Sequence, residues 1–368
     1  MKKKNLCKTL LKTMCIVLGI LILALLAYIV YLYASYYRIE DNQELVVEAP
    51  VDDTTTGAAA VLATDTEYSA VTYNIGFGAY LPDYSFFMDG GTSSWAESPE
   101  TVQYAINGAG ELVKSLDPDF ALIQEIDLDA TRSYHTDEYE MLRNILPEYT
   151  TVFAQNYDSA FLFYPFTQPH GSSRAGLGLF SKYPVSSALR RSFPISTSFS
   201  KFFDLDRCYS VSRIPVDNAK ELVIFNLHMS AYGNSDAIRK GQIEMLCNDM
   251  AKEYEAGNYV LCGGDFNHDL KASEEDAENC ESWAFPFPRT ELPEHFAFCL
   301  DLLSSEEKEA LWNSARNADM EYVPGVTYTV TLDGFIISDN IECLSYENIN
   351  TGYSYSDHDP VKVDFVLK

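Results

Sequence analysis

Asp265 and Asn267 stand two residues apart, just after the apolar run Tyr259-Val260-Leu261-Cys262 and the pair Gly263-Gly264. Such a run reads as a strand entering a tight turn, with glycine where the backbone must turn sharply. In extended chain, residues i and i+2 share a side, so the acid and the amide can face one ligand. That pairing suits a phosphate flanked by a metal ion. The same form recurs along the chain: Tyr73 runs into Asn74, Phe120-Ala121-Leu122-Ile123 into Gln124-Glu125, and Ile224-Phe225-Asn226-Leu227 into His228. Asp333 stands between short strands at 327–330 and 334–338, and Ser356-Asp357-His358-Asp359-Pro360 precedes a last strand at 361–367. A carboxylate at a strand's end, as at Glu125, is where a hard divalent cation finds oxygen ligands. Each residue taken alone is an ordinary strand terminus or turn. Asn74, Glu125, His228, Asp265, Asn267, Asp333, Asp357 and His358 taken together are poorly explained by coincidence.

The elements that must bring them together alternate strands with helices, an α/β pattern. Helical spacing of Val102, Ala105, Ile106, Ala109, Leu112, Val113 and Leu116 predicts a helix over 99–116, stopped by Asp117-Pro118. Further helices are expected at 139–146 and 235–254, with strands at 67–73, 120–123, 152–154, 174–181, 209–215 and 221–228. The strands 174–181 and 209–215 read as neighbours. The segment that joins them holds Lys182, Arg190, Arg191, Lys201 and Arg207, the one basic concentration beyond the N-terminus and the best candidate for an anion-facing surface. Arg132, in the loop 127–135 with His135, and Arg207 are candidate substrate contacts. The aromatic segment 161–166 reads either as core or as a loop that dips towards a membrane, and 271–320 as an acidic, helix-bearing excursion. His268 and Asp269 read as turn residues.

Residues 14–34 carry no charge, contain enough apolar side chains to cross a bilayer once as a helix, and follow Lys2, Lys3, Lys4, Lys8 and Lys12. The competing reading, a cleaved signal peptide, has a shorter apolar region and a small-residue cleavage site, so an uncleaved anchor is favoured. The lysines place residues 1–13 in the cytoplasm, the transmembrane helix at 14–36, and everything after Arg38 outside. Residues 37–66, acidic and without sustained periodicity, are expected to be a flexible tether, and 67–368 the catalytic domain. The first acidic residue is Glu40, and beyond Arg38 there are 54 acidic against 20 basic residues, a formal net charge of −34. A field of that sign repels nucleic-acid backbones and anionic lipid unless a local basic patch or bound cations reverse it. It argues against a stable nucleic-acid partner. A monomer is expected. Six of the eight cysteines lie beyond the apolar stretch in no zinc-binding spacing, with Cys280 and Cys299 the most plausible disulfide pair.

The ordered set Tyr73-Asn74, Gln124-Glu125, Asn226-x-His228, Gly264-Asp265-x-Asn267, Asp333-Gly334-Phe335 and Ser356-Asp357-His358-Asp359-Pro360 resembles the endonuclease/exonuclease/phosphatase superfamily over residues 67–368. The fold this implies is a four-layered, deoxyribonuclease-I-like α/β sandwich of two packed mixed β-sheets flanked by helices. By the same resemblance Asn74, Glu125 and Asp357 fall on metal positions. His228, Asp265, Asn267 and His358 fall on catalytic or phosphate-contacting positions, and Asp333 on the carboxylate that orients the final histidine. The activity implied is phosphoester hydrolysis dependent on Mg2+ (or Mn2+), on a phosphodiester or phosphomonoester in nucleic acid, a phospholipid headgroup or a small molecule. In this reading His358, kept basic by Asp333, assists attack by a water that Asp265 or Asn267 positions, and His228 bonds the phosphoryl oxygen or protonates the leaving group. The alternative is a non-catalytic extracytoplasmic binding module on the same fold.

Overall fold

The computed structural model of the chain describes residues 2–52, 61–202, 204–230, 236–273 and 283–368. It divides into two units, Met1–Arg38 and Ile39–Lys368. The first holds a single helix, α1 (Lys2–Ser35), whose stretch Leu6–Ser35 is long and apolar enough to cross a membrane.

The second unit stacks two seven-stranded sheets. One has the order β15-β16-β3-β4-β6-β5-β2, with β2 (Val47–Glu48), β3 (Glu67–Asn74), β4 (Phe120–Ala130), β5 (Thr150–Asp158), β6 (Ser173–Ser181), β15 (Ile341–Asn348) and β16 (Val361–Leu367). The other runs β1-β7-β8-β9-β10-β14-β11, with β1 (Gln43–Glu44), β7 (Ser187–Ser192), β8 (Cys208–Pro215), β9 (Glu221–His228), β10 (Tyr259–Asp265), β11 (Phe296–Phe298) and β14 (Asp333–Ser338). A short ribbon, β12 (Ala315–Arg316) with β13 (Thr329–Val330), lies apart. Both sheets mix parallel and antiparallel pairs, and helices α2 (Pro99–Leu116), α3 (Glu138–Ile145), α4 (Asp236–Glu255) and α5 (Ser305–Ala310) complete the unit. Two mixed sheets with helices outside are the fold the resemblance implied.

Between the sheets lies the main core. Phe120, Leu122, Leu179, Val363 and Phe365 meet Leu222, Ile224, Leu261 and Phe335, all fully buried. A second core forms on the outer face of the first sheet, where Ala121, Ile123 and Phe180 pack against Val102, Ile106 and Val113 of α2. The start of α2 is fixed by Ser98, whose hydroxyl accepts from the Thr101 N–H, and by Pro99 at its first turn. It ends at Asp117, in the left-handed region with φ 47°.

Several expectations change. The strands read as neighbours, β6 and β8, lie in different sheets: β6 pairs with β4 and β5, and β8 with β7 and β9. Sequence proximity favours pairing, but the 26 residues between them include β7, which gives β8 a nearer partner. Part of the expected tether is also regular. Gln43–Glu44 pairs with β7 and Val47–Glu48 with β5, so 39–48 adds an edge strand to each sheet. Charge explains this, because Asp41 accepts from Arg191 Nε and the Ser192 N–H, and Arg190 Nη1 donates to the Glu40 carbonyl. Cys280 lies outside the described residues, and Cys299 is a free, buried thiol. In segment 161–166, Leu162 is buried while Phe163, Tyr164 and Phe166 are exposed.

The close approach of β9 and β10 depends on Gly264. Its φ is +145°, and a Cβ there would sit 2.1 Å from the Leu227 carbonyl oxygen. Gly264→Ala is therefore expected to destabilise the domain by about 3 kcal/mol or more, from combined strain and clash. Urea unfolding of the two proteins measures this, and an unchanged midpoint would contradict it.

Candidate active site

Strand register sets three of the predicted side chains abreast. β10 runs parallel to β9 with Asp265 opposite His228, and antiparallel to β14 with Asp265 opposite Asp333. These three residues close the ends of adjacent strands, so apolar pairing further along holds them level. From the other sheet, β3 and β4 run parallel with Asn74 opposite Gln124, which brings Asn74 to the same end.

Glu125 arrives differently from the strand-end position expected. β4 continues to Ala130, and Glu125 sits on a bulge within it, where pairing to β6 slips between Ile123 and Ile126 and φ reaches +55°. The bulge re-aims one side chain without ending the strand. Its carboxylate accepts from Asn74 Nδ2 at 3.1 Å, and the same amide nitrogen donates to Asp265 Oδ2 at 3.1 Å. Asn74 thus joins acids from both sheets, while its own oxygen accepts from the Gly76 N–H at 3.0 Å.

The segment 356–359 is held by its first and last members. Ser356 Oγ donates to the Asn74 carbonyl at 2.8 Å and accepts from the His358 N–H, and Asp359 accepts from Trp312 Nε1. Between them the His358 ring meets Asp333 Oδ2 through Nδ1 at 2.7 Å. Ser314 Oγ donates to the same oxygen at 2.7 Å and accepts from the Asp333 N–H, fixing the carboxylate. Nothing in the sequence around Ser314 signals that role. Asn267 receives its place from Asp265 Oδ1, which accepts its N–H at 2.8 Å, and from the Met229 carbonyl, to which its amide donates.

All of these groups converge on one cleft of about 420 Å³. Glu125, His228, Asp265, Asn267, Asp357 and His358 line it, with Arg132 and Arg207. Asn74 and Asp333 lie directly behind it, bonded to its lining. His228 Nε2 stands 3.5 Å from Asp265 and 3.9 Å from Glu125, and His358 Nε2 3.9 Å from Asp265. His135 is on the surface, paired with Asp129 at 2.5 Å, and His268 is buried against the Phe266 carbonyl. Of the basic segment, only Arg207 faces the cleft. Lys182 pairs with Asp117, Arg190 is buried against the Gln155 and Asp206 carbonyls, Arg191 pairs with Asp41 and Asp249, and Lys201 lies over the Phe202 ring. Asp89, Tyr157 and His170 also line the cleft, although no motif marks them.

Electrostatics in the cleft are unbalanced. Burial pushes the Asp265 carboxyl up to about 7, with Asp333 adding to the effect. Burial lifts Asp357 to about 6, and burial with Asp357 and Glu125 lifts Asp89 to about 7. Burial works against a charge on His358, but Asp333, Asp265 and Asp357 outweigh it and hold the imidazolium well above its usual range. His228 goes the other way, driven well below by burial and by Arg207. Crowded, buried carboxylates that resist ionisation by themselves are a donor set that fits a hard divalent cation. Asp265, Asp333 and His358 each bring one ligand atom within 4.8 Å of the others. In that group one Asp333 oxygen is engaged by His358 and Ser314 and both Asp265 oxygens accept hydrogen bonds, so Glu125 and Asp357, each bonded at one oxygen, offer the freer ligands.

Raised carboxyl pKa values mean that the cation-free folded state binds protons more tightly than the unfolded chain. Their stabilisation is present below the unfolded value of 3.8 and is lost as pH rises through about 6 to 7. A bound cation removes that loss. The rise in Tm on replacing EDTA with Mg2+ is therefore expected to grow between pH 5 and pH 8, by about 5 °C, and Asp265→Asn to flatten the dependence. Thermal unfolding at the two pH values decides it; a Mg2+ effect independent of pH would contradict the assignment.

A family model described as the Endonuclease/Exonuclease/phosphatase family matches residues 71–302. No curated protein sequence matches the chain. Among solved structures, an endonuclease/exonuclease/phosphatase from Beutenbergia cavernae aligns with a TM-score of 0.54 at 14% identity, covering 82% of this chain and 72% of that one. A second, from Bacteroides vulgatus, gives 0.53 at 17% identity over 83% and 100% of the two chains. ANGEL2, a 2′,3′-cyclic phosphatase solved with adenosine-2′,3′-vanadate, gives 0.56 at 12% identity over 82% and 96%. At such identities the structural likenesses speak for the fold.

Proposed function

Because the chain belongs to the endonuclease/exonuclease/phosphatase family, we propose that it hydrolyses a phosphate ester in this cleft with Mg2+ or Mn2+. The observation that carries the reading is the His358–Asp333 pair, joined at 2.7 Å and facing buried acids from both sheets across a single cleft. Family membership supports a metal-dependent phosphoester hydrolase in general; the ion, the ester and the residue roles are the proposal.

Glu125 and Asp357, with the second lone pair of the Asn74 oxygen and Asp265 beside them, would hold the cation. When bound it supplies positive charge to phosphoryl and leaving oxygens that otherwise repel a nucleophile. The protein's part follows from the hydrogen bonds of the site. Asp333 holds His358 Nδ1 and the surrounding carboxylates raise the basicity of the ring, which suits its Nε2 to take a proton from the attacking water. Asp265, within 4 Å of both histidine rings, helps to place that water. Asn267, anchored by its backbone N–H on Asp265, helps to orient that water. Neutral His228 offers an uncharged hydrogen bond to the phosphate from the far side of Asp265. Asp333, fixed by Ser314, keeps the His358 ring aimed and basic.

The lysines before Leu6–Ser35 support a single-pass arrangement with the N-terminus in the cytoplasm and the catalytic unit outside. Protease treatment of intact cells tests this: the unit should be digested without permeabilisation, and full protection would reverse the orientation.

Activity is tested with bis-p-nitrophenyl phosphate and the full chain in detergent. Hydrolysis is expected with Mg2+ and not with EDTA. His358→Ala and Asp265→Asn should each lower kcat by roughly 10²–10⁴-fold, and Glu125→Gln should raise the Mg2+ concentration needed. A wild-type protein inert towards several esters with several divalent ions would favour the non-catalytic binding module.

A further inference from the structure

Three arginines line the cleft, and hydrogen bonds to protein acceptors hold two of them, although Arg316 Nε is left without a partner among the described residues. Arg132 donates from Nε and Nη2 to both oxygens of Asp127, at 3.1 and 2.9 Å, with its guanidinium 3.7 Å from the centre of the Phe77 ring. Arg316 gives its terminal nitrogens to the carbonyls of Asn317, Met320, Tyr80 and Leu81. Arg207 has no such acceptor. It is 6% exposed, and its Nε and Nη1 are buried without a hydrogen-bond partner among the described residues. A guanidinium taken out of water with its hydrogen bonds unmade is costly to the fold. In a unit of net charge −34 it is also the cation that carboxylates had most opportunity to neutralise.

Its place in the sheet separates it from the acids. Tyr209 of β8 pairs with Leu227 of β9, so Arg207, just before β8, lies beside the end of β9 that carries His228. The order β8-β9-β10-β14 then places Arg207, His228, Asp265 and Asp333 in sequence across the cleft floor. At about 4.8 Å per strand, the backbone of Arg207 stands roughly 10 Å from that of Asp265. The sheet order therefore sets Arg207 on the His228 side of the cleft, two strands from Asp265.

We propose that Arg207 forms a second anion subsite, and that the preferred substrate carries a phosphate in addition to the one that is cleaved. The inference rests on the phosphoesterase reading for the identity of the cleaved group, but not for the binding of an anion. Planar, charged donors suit a phosphate that can accept two hydrogen bonds at once.

The binding test uses the full chain in detergent with EDTA, where the acidic end repels anions, and inorganic phosphate as the probe. Phosphate is expected to raise Tm and to bind measurably by calorimetry. Arg207→Met, which keeps length and removes charge, should weaken that binding at least tenfold, while Arg207→Lys retains part of it. In phosphate-free buffer Arg207→Met should unfold at the wild-type temperature or higher, since the charge it removes is unpaired. No phosphate binding by the wild type, or equal binding by Arg207→Met, overturns the subsite. The kinetic arm compares kcat/KM for a singly phosphorylated ester and for one bearing a second phosphate. The ratio should favour the second ester and fall at least tenfold in Arg207→Met, chiefly through KM. An equal loss on both esters would place Arg207 on the cleaved phosphate and also overturn the proposal. Phosphate binding at Arg207 in a protein that hydrolyses no ester would uphold the subsite and count against the hydrolase reading.

Discussion

The carboxylate of Asp265, 1% exposed and lodged where the two sheets meet, is the constraint from which the rest of the site follows. A buried carboxylate must be supplied with hydrogen bonds or neutralised, and Asp265 draws partners from every side. Asn74 reaches it from one sheet, the Asn267 N–H comes from its own turn, and His228 and His358 stand within 4 Å on either flank. Its register partners on β9 and β14 carry His228 and Asp333. One residue thus orders side chains spread over nearly 300 positions of sequence.

Alignment of the sheets is the second requirement, because a small slide between them would separate Glu125 and Asn74 from the other acids. Apolar packing resists separation but not sliding. A buried polar bridge supplies the direction: Gln124 Nε2 donates to Asn226 Oδ1 at 2.8 Å, and Asn226 Nδ2 donates to the Gly178 carbonyl at 3.0 Å. Gln124 precedes Glu125 and Asn226 lies two residues before His228, so the bridge is made by the same strand ends that deliver the functional groups. Hydrogen bonds between fully buried amides are position-specific, and breaking one leaves the other unsatisfied.

Charge is distributed with the same economy. The excess of acid is dispersed over the surface, where it is solvated, and concentrated once, in the cleft. Most of the arginines and lysines of the basic segment are consumed by structural work, tying residues 40–41 and α4 to β7 or closing the end of α2. The cation that is left unpaired therefore stands out by its lack of a partner, a property that counting basic residues does not reveal.

Pattern alone determined much of this protein. The extent of α2, the last strand at 361–367, and the strand-end placing of Asn74, His228, Asp265 and Asp333 follow from periodicity and turn chemistry, which are local and written in consecutive residues. The membership of the motif set in one family was equally legible, since the motifs recur in order. Tertiary structure decided what depends on distant partners: that β6 and β8 belong to different sheets, that Glu125 rides a bulge rather than a strand's end, that Ser314 fixes Asp333, and that of five clustered cations Arg207 alone faces the cleft. Periodicity shows which face of a strand is buried but not against which sheet, and composition shows that a charge exists but not whether another chain segment has already neutralised it.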